Sequence, residues 1–550
     1  MTPQNPTSGH LGLWAALRGD PAAEPFQRLV PFSWRGELLV FLFGMLLSFL
    51  LAGFWNPYWR NADMDFWVVY NAFLLNVPMP QEWFDHPGYL TILLLSYWLR
   101  ALHALGIVNV ISFNALPPVS EAAAFAQAWT AATRAGRVLS LMYAMGFVVA
   151  FAYLLRAFIR DWRIAAFGAF LLAFSGGMAM EMRIIRTELL PAAFFSCALL
   201  LLLIVAQRGE RWWRPLVIGG ASLLITLAML NKIQFLFLVC ALPVLLLPFG
   251  LRETQRGFWH EPRRAWALLI PIIAATAIAI LLAKNIVIEG FLGHGETTVA
   301  RPTLQFGATY YWPALALWLS LGMIAFAALW RVTAVETLAA MSCAVAGCMI
   351  GLLALDIRYH PDDVLVVFHP LEYMLAWAAA SEAELAHGLG PRLQFLAEAV
   401  VGVIARRTFF LSSSPRPTLF LEWFIIAATI VAIRRREWRL VLQVGALMLC
   451  DWGIDTLNMA RGLKQEYFLL TDPLAIIAAA LLVAKLTGLE RHRWTYPVGA
   501  ALIVAHILVS QAEPVKHVFK TEGPEVLCGL YGYAKRVEHL PICKTLKDGS

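Results

Sequence analysis

The chain has 550 residues, 60% of them hydrophobic and only 14% charged, with a formal net charge of +7 and a mean hydropathy of +0.67. That is far more apolar surface than one soluble core needs, so composition excludes a water-soluble globule and a disordered chain alike. The basic excess is arginine placed beside apolar runs, which the positive-inside bias of membrane proteins explains without any nucleic-acid partner.

Taken in order, residues 1–34 read as a cytoplasmic arm, with Pro and Gly early. The first apolar run is long enough to span and reads as an anchor rather than a cleaved leader. Spanning helices are predicted at 37–55, 139–155, 164–180, 189–205, 216–230, 233–251, 265–287, 312–329, 334–355, 418–433, 440–452, 475–489 and 496–510. The expected fold is therefore an all-α polytopic membrane protein of about thirteen spans, since only helices satisfy every backbone group within such Leu-, Ala- and Ile-rich runs. Every second loop is basic, including RAFIRDWR, QRGERWWR, LRETQRGFWHEPRR, RRREWR and ERHRW. Those loops are assigned to the cytoplasm.

This topology places two long loops outside, 56–136 and 356–417, with segments 89–105 and 393–404 lying along the membrane surface as juxtamembrane helices. The expected units are then a transmembrane core over 35–355 that includes the first loop, the second loop at 356–417, C-terminal spans over 418–511 and an external tail at 512–550. Cys197, Cys240, Cys343, Cys348 and Cys450 lie in apolar runs, as free thiols often do. Cys528 and Cys543 share the external tail, where a disulfide is expected.

One set of ionisable groups falls on the external side. Asp63, Asp65, Asp85 and His86 belong to the first loop; Arg183, Arg186 and Glu188 come from MRIIRTE; and Lys232 follows in LNKIQ. Arg358, Tyr359, His360, Asp362 and Asp363 come from DIRYHPDD, and Arg461, Lys464 and Tyr467 from RGLKQEY. Charged groups at membrane-embedded helix ends are costly, which makes them functional candidates. Each has a structural alternative: Asp63 or Asp65 capping the helix that starts near Phe66, His86-Pro87 forming a helix-initiating turn, Arg183 to Glu188 forming an ion pair, and Lys232 snorkelling to the interface.

Asp63-Met64-Asp65 after the first span, His86-Pro87-Gly88 opening a juxtamembrane helix, and Arg183 to Glu188 after the third span together resemble the GT-C class of membrane glycosyltransferases. That class includes protein O-mannosyltransferases and the aminoarabinose transferases that modify lipid A. The resemblance implies an enzyme that moves a sugar from a polyprenyl-phosphate carrier to an acceptor hydroxyl on a lipid, glycan or protein outside the cytoplasm, and the topology with its basic loops points to the periplasmic face of a bacterial inner membrane. It implies an Asp general base, Asp65 first and Asp63 second, worth about 10² to 10⁴ in rate. Arg183, Arg186, Lys232, Arg358, Arg461 and Lys464 would hold the leaving phosphate, with His86, Glu188, Tyr359 and Tyr467 also binding substrate. A divalent cation, Mg²⁺ or Mn²⁺, could use Asp63, Asp65 and His86, although their spacing is not diagnostic. The competing reading is a membrane transporter or lipid-carrier flippase, against which stand the absence of a visible repeat and the gathering of polar groups in external loops.

Overall fold

The computed structural model describes residues 33–60, 65–77, 79, 88–208, 211–232, 234–251, 257–292, 311–355, 389–408, 419–458, 465–486, 501–502 and 504–512, together with residues 498 and 528. Among the described residues the regular structure is entirely helical. Six helices are long and apolar enough to cross a membrane: Trp34–Ala52, Ala122–Ile159, Leu189–Ala206, Pro262–Ile288, Trp312–Trp330 and Ala334–Leu352. Shorter apolar helices lie beside them. The chain is an all-α integral membrane protein, as its composition requires.

In chain order the helices are α1 (Trp34–Ala52), α2 (Trp67–Asn76), α3 (Tyr89–Ala104), α4 (Ala122–Ile159), α5 (Trp162–Ala173), α6 (Gly176–Glu181), α7 (Leu189–Ala206) and α8 (Arg214–Met229). They continue with α9 (Phe235–Leu246), α10 (Pro262–Leu292), α11 (Tyr311–Trp330), α12 (Ala334–Leu352), α13 (Leu389–Thr408), α14 (Leu419–Arg434) and α15 (Trp438–Asn458). A 3-10 turn over Gln465–Leu470 then leads into α16 (Asp472–Lys485).

Two expectations are corrected. The first long loop was expected to run to residue 136, but α4 begins at Ala122 and continues for 38 residues. At 1.5 Å per residue it is about 57 Å long, nearly twice the ~30 Å hydrocarbon thickness. Its first turns, AAAFAQAWTAATRAG, are too polar to register as a span, yet alanine is the strongest helix former. The expected span at 164–180 is instead broken into α5 and α6. Ser175 interrupts it in an extended conformation and caps α6 through Oγ, which accepts from Met178 N at 3.3 Å.

Two hydrophobic clusters organise the part of the chain that carries the site. The larger joins α1, α4, α5, α7, α9 and α16. The second is built from the segment between α1 and the middle of α4, with Tyr58, Phe66, Trp67, Tyr70, Phe73, Phe125 and Trp129 among its members. Trp129 on α4 stacks on Phe66 at 4.8 Å and on Phe125 at 5.7 Å. Such pairs each add about 0.5–1.5 kcal/mol beyond area burial. The N-terminal overhang of α4 is therefore the wall against which α2 and α3 pack.

On the other side, α8 and α12 cross at a patch of small residues. A Cβ on Gly347 would stand 2.0 Å from the Gly219 carbonyl oxygen, and one on Gly351 2.8 Å from Thr226 Cβ. Close backbone approach of this kind drives helix association where lipid tails are as apolar as the side chains.

The C-terminal helices meet at a buried arginine. Arg407 on α13 bonds Glu422 Oε1 on α14 at 2.8 Å and Asp451 Oδ1 on α15 at 2.9 Å. It also holds Asp455 Oδ2 at 2.5 Å, and Asp455 accepts the Thr471 hydroxyl at 2.9 Å. Nothing in the sequence reading had grouped these residues.

Candidate functional site

The connector between α6 and α7, Met182 to Glu188, is the hub of the site. Its charged residues tie together α1, α6 and the turn after α8. Arg183 donates to Ala179 O at 2.6 Å and to Ser48 Oγ on α1, and burial lowers its guanidinium to about 10, so it stays cationic at neutral pH. Gly53, the residue that ends α1, admits this side chain, because a Cβ there would stand 2.9 Å from Arg183 Cβ.

Asp65 is tied to the same connector. Its Oδ1 accepts the Ile185 backbone N–H at 2.7 Å. Its Oδ2 takes two bonds from Arg137 of α4, from Nε at 3.0 Å and Nη2 at 2.6 Å. Both side chains are 0% exposed. Arg137 further donates to the carbonyls of Gly53, Asn56 and Pro57, which binds the chain leaving α1 to α4. The α2 N-cap position belongs to Phe66, without a side-chain cap bond. Asp65 is thus not the cap that was one alternative, and both of its oxygens bond the anchor. The structure places Asp65 as an anchor between α4 and the connector. Asp63 lies outside the described residues.

Four of the expected substrate-binding residues converge. Glu188 Oε1 pairs with Lys232 Nζ at 2.5 Å, and Glu188 Oε2 lies 3.6 Å from Arg186 Nε. Arg186 Nε is 3.5 Å from Glu181 Oε1, and Lys232 Nζ sits over the Tyr467 ring, 5.9 Å from its centroid. Lys232 and Glu188 are fully buried, while Arg186 keeps 10% exposure. Lys232 does not snorkel. The 3-10 turn carrying Tyr467 lies directly on α6, where a Cβ on Gly177 would come 2.8 Å from Leu469 N.

The end of the His86-Pro87-Gly88 element docks beside this cluster. Gly88 N donates to Asn231 O at 2.9 Å, and the Asn231 side chain accepts from Thr91 N and donates to Thr91 Oγ1, both at 3.1 Å. Gly88 has φ 57. A second proline there would lack both the N–H and the backbone angle. His86, Arg358, Tyr359, Arg461 and Lys464 lie outside the described residues. Among the described residues no group of three His, Cys, Asp or Glu side chains could hold a metal ion. Cys528 is disulfide-bonded; its expected partner, Cys543, lies outside the described residues.

An apolar cavity of about 910 Å³ runs along α8. Arg214 and Glu336, paired at 3.2 Å, line one end, and Leu230, Val287, Trp312 and Leu352 line the other. Its length is that of the sixteen residues of α8, about 24 Å. The cavity reaches the surface at Val345, which is exposed. Its far end lies at Leu230, two residues before Lys232.

These features define an all-α membrane protein with a buried cluster of paired charges and a long apolar groove. Compared by sequence, the chain matches no family model and no curated protein. By structure it is similar to the oligosaccharyltransferase of Archaeoglobus fulgidus, solved by crystallography as a complex with Zn and sulfate. The identity is 15% and the TM-score 0.42, over 87% of this chain and 53% of that one. The chain spans about half the length of that protein.

Proposed function

We propose that the chain is an integral-membrane glycosyltransferase of GT-C type. It takes a sugar from a polyprenyl-phosphate carrier and passes it to a hydroxyl on a lipid, glycan or protein acceptor at the non-cytoplasmic face, in a bacterial inner membrane. The single observation that carries this reading is the apolar groove along α8, lined as far as Leu230, two residues before the buried Lys232 that pairs with Glu188 in the set including Arg186. A long prenyl tail with a phosphate head has that same division between apolar length and charged end. The motifs Asp63-Met64-Asp65, His86-Pro87-Gly88 and Arg183 to Glu188 support it from the sequence side.

In this reaction the acceptor oxygen attacks the anomeric carbon, and the bond from that carbon to the phosphate oxygen breaks. The electron pair leaves on the phosphate. Lys232 and Arg186, with Arg358, Arg461 and Lys464, stabilise the charge that develops there. The acceptor proton goes to Asp63, two residues from the anchored Asp65, with general-base help worth about 10² to 10⁴ in rate. His86 and Tyr359 orient the sugar, and Tyr467 fixes the Lys232 ammonium by its ring face.

The test is glycan and glycolipid mass profiling of envelopes from cells making wild type or Asp63→Asn at matched protein levels. Loss of one sugar unit with normal abundance is expected. An unchanged profile, in the variant and in a deletion strain, would overturn the assignment.

A further inference from the structure

We infer that the turn joining α4 to α5, together with the end of α7, binds the headgroup of an anionic phospholipid in the leaflet that the basic loops assign to the cytoplasm. The site stands apart from the glycosyltransferase reading, which neither requires it nor supports it.

Three arginines meet there. Arg160 ends α4 in the left-handed conformation, φ 65, with its N–H on Arg156 O at 2.8 Å. Glycine is the usual residue at such a cap, because a side chain strains that conformation. Arg208, just past α7, reaches the same helix end and donates from Nη2 to Ala157 O at 3.4 Å. Arg211 follows in the same loop, held through its carbonyl, which accepts Trp259 Nε1–H at 3.0 Å. Arg160 and Arg211 are exposed and Arg208 is half-buried. Among the described residues no ion pair joins any of the three to a carboxylate. Asp161, next to Arg160 in sequence, turns Oδ1 to the Arg163 and Ile164 amides and caps α5. Glu210 lies outside the described residues. Burial, and then the charges of Arg160 and Arg211, lower the Arg208 guanidinium. Like charges gathered in this way repel, and an anion between them removes that cost.

The surroundings choose the anion. Tyr153 and Trp162 pack edge-on against Trp34, with centroids 5.6 and 6.4 Å from it. Arg156 lies over the Trp34 ring and Arg163 over the Trp162 ring. Trp212, beside Arg211, is exposed. Amphipathic rings of this kind settle at the headgroup level of a bilayer, so the three guanidiniums face lipid phosphates there. A phosphodiester offers two oxygens to the planar guanidinium fork, and basic pockets between membrane helices on the cytoplasmic side take such headgroups. A zwitterionic headgroup carries its own cation and gains far less from three more.

The experiment titrates the full chain, purified in detergent, with phosphatidylglycerol, phosphatidylcholine of the same acyl chains, or glycerol phosphate, and reads bound lipid by native mass spectrometry. The proteins are wild type, Arg160→Gly, the double variant Arg208→Gln/Arg211→Gln, and Arg331→Gly as the control. Arg331 has the same left-handed conformation, φ 59, and is exposed, but its turn carries no second arginine. Wild type should bind phosphatidylglycerol roughly tenfold or more tighter than either other probe. Arg160→Gly keeps the cap and removes the charge, so its unfolding midpoint without lipid should not fall, while phosphatidylglycerol binding weakens about fivefold, the worth of one arginine at an anionic surface. The double variant should lose the preference for phosphatidylglycerol, and Arg331→Gly should bind as wild type does. Equal weakening in Arg160→Gly and Arg331→Gly overturns the site in favour of diffuse charge. Unchanged binding in Arg160→Gly, or in the double variant should Arg160→Gly not fold, overturns it outright. A lowered midpoint with unchanged binding gives Arg160 to the dipole of α4 instead. Glycerol phosphate binding as tightly as phosphatidylglycerol overturns the lipid as the occupant.

Discussion

Asp65→Asn tests the anchor at the centre of the site. The change preserves size but leaves one oxygen, which can serve either the Ile185 N–H or the Arg137 guanidinium, and points an NH₂ donor at a cation. Three bonds of 2.6, 2.7 and 3.0 Å are disrupted around a group with no exposure. Breaking one partner of a buried pair costs about 3–5 kcal/mol. The carbonyls of Gly53, Asn56 and Pro57 still face Arg137 and hold the loss to about 3 kcal/mol, or two decades in the folding equilibrium. Arg137→Met should cost a comparable amount, and the double variant should be better than the sum of the two by about 1–3 kcal/mol. The assay is unfolding of detergent-purified protein followed by tryptophan fluorescence, for which Trp67 and Trp129 lie in the adjoining cluster. Strictly additive effects, or an unchanged midpoint for Asp65→Asn, would refute the anchor. The contrast with Asp63→Asn is direct: that variant should lose transfer while keeping its midpoint.

At the α8–α12 crossing, Gly347→Ala drives a methyl against the Gly219 carbonyl and should destabilise by about 1–3 kcal/mol, read as a lower thermal midpoint; an unchanged midpoint would mean that the crossing is loose. Arg407→Gln leaves Glu422, Asp451 and Asp455 buried around a neutral side chain and should cost more than the ~3–5 kcal/mol of a single broken pair, visible as loss of folded protein in size-exclusion chromatography. Thr471→Val removes the hydroxyl that donates to Asp455 and, at 3.4 Å, faces the Phe468 carbonyl and should cost about 1 kcal/mol. A larger loss than that of Arg407→Gln would reverse the order of importance assigned within that cluster.

The helices were legible because hydrocarbon leaves the backbone one solution, and apolar runs announce it. Lys232, Arg186, Glu188 and Tyr467 could be grouped because each stands at the end of a predicted span on the same assigned face. Arg137 was not seen: in AATRAGRVLS it reads as a solvated residue ahead of a span, and its partner is 72 residues away. The signal for the Arg407 cluster was present in LFLEWFII and LMLCDWGID, where Glu422, Asp451 and Asp455 interrupt apolar runs. Carboxylates at that depth demand a cation, so a search for their counter-ion would have led toward Arg407. Asp65 could be singled out but its Arg137 partner could not, because sequence places a carboxylate near a helix start without showing which donor engages it.

The Asp65 anchor also sets an order of events during synthesis. Asp65 emerges from the ribosome well before Arg137, and the Ile185 amide that completes its shell lies 120 residues further along. Until α4 is delivered, Asp65 has to remain hydrated, and the segment between α1 and α2 has no fixed seat. The first membrane helix and the aromatic cluster are therefore provisional through the making of the next hundred or so residues, and become permanent together when the α6–α7 connector closes over them.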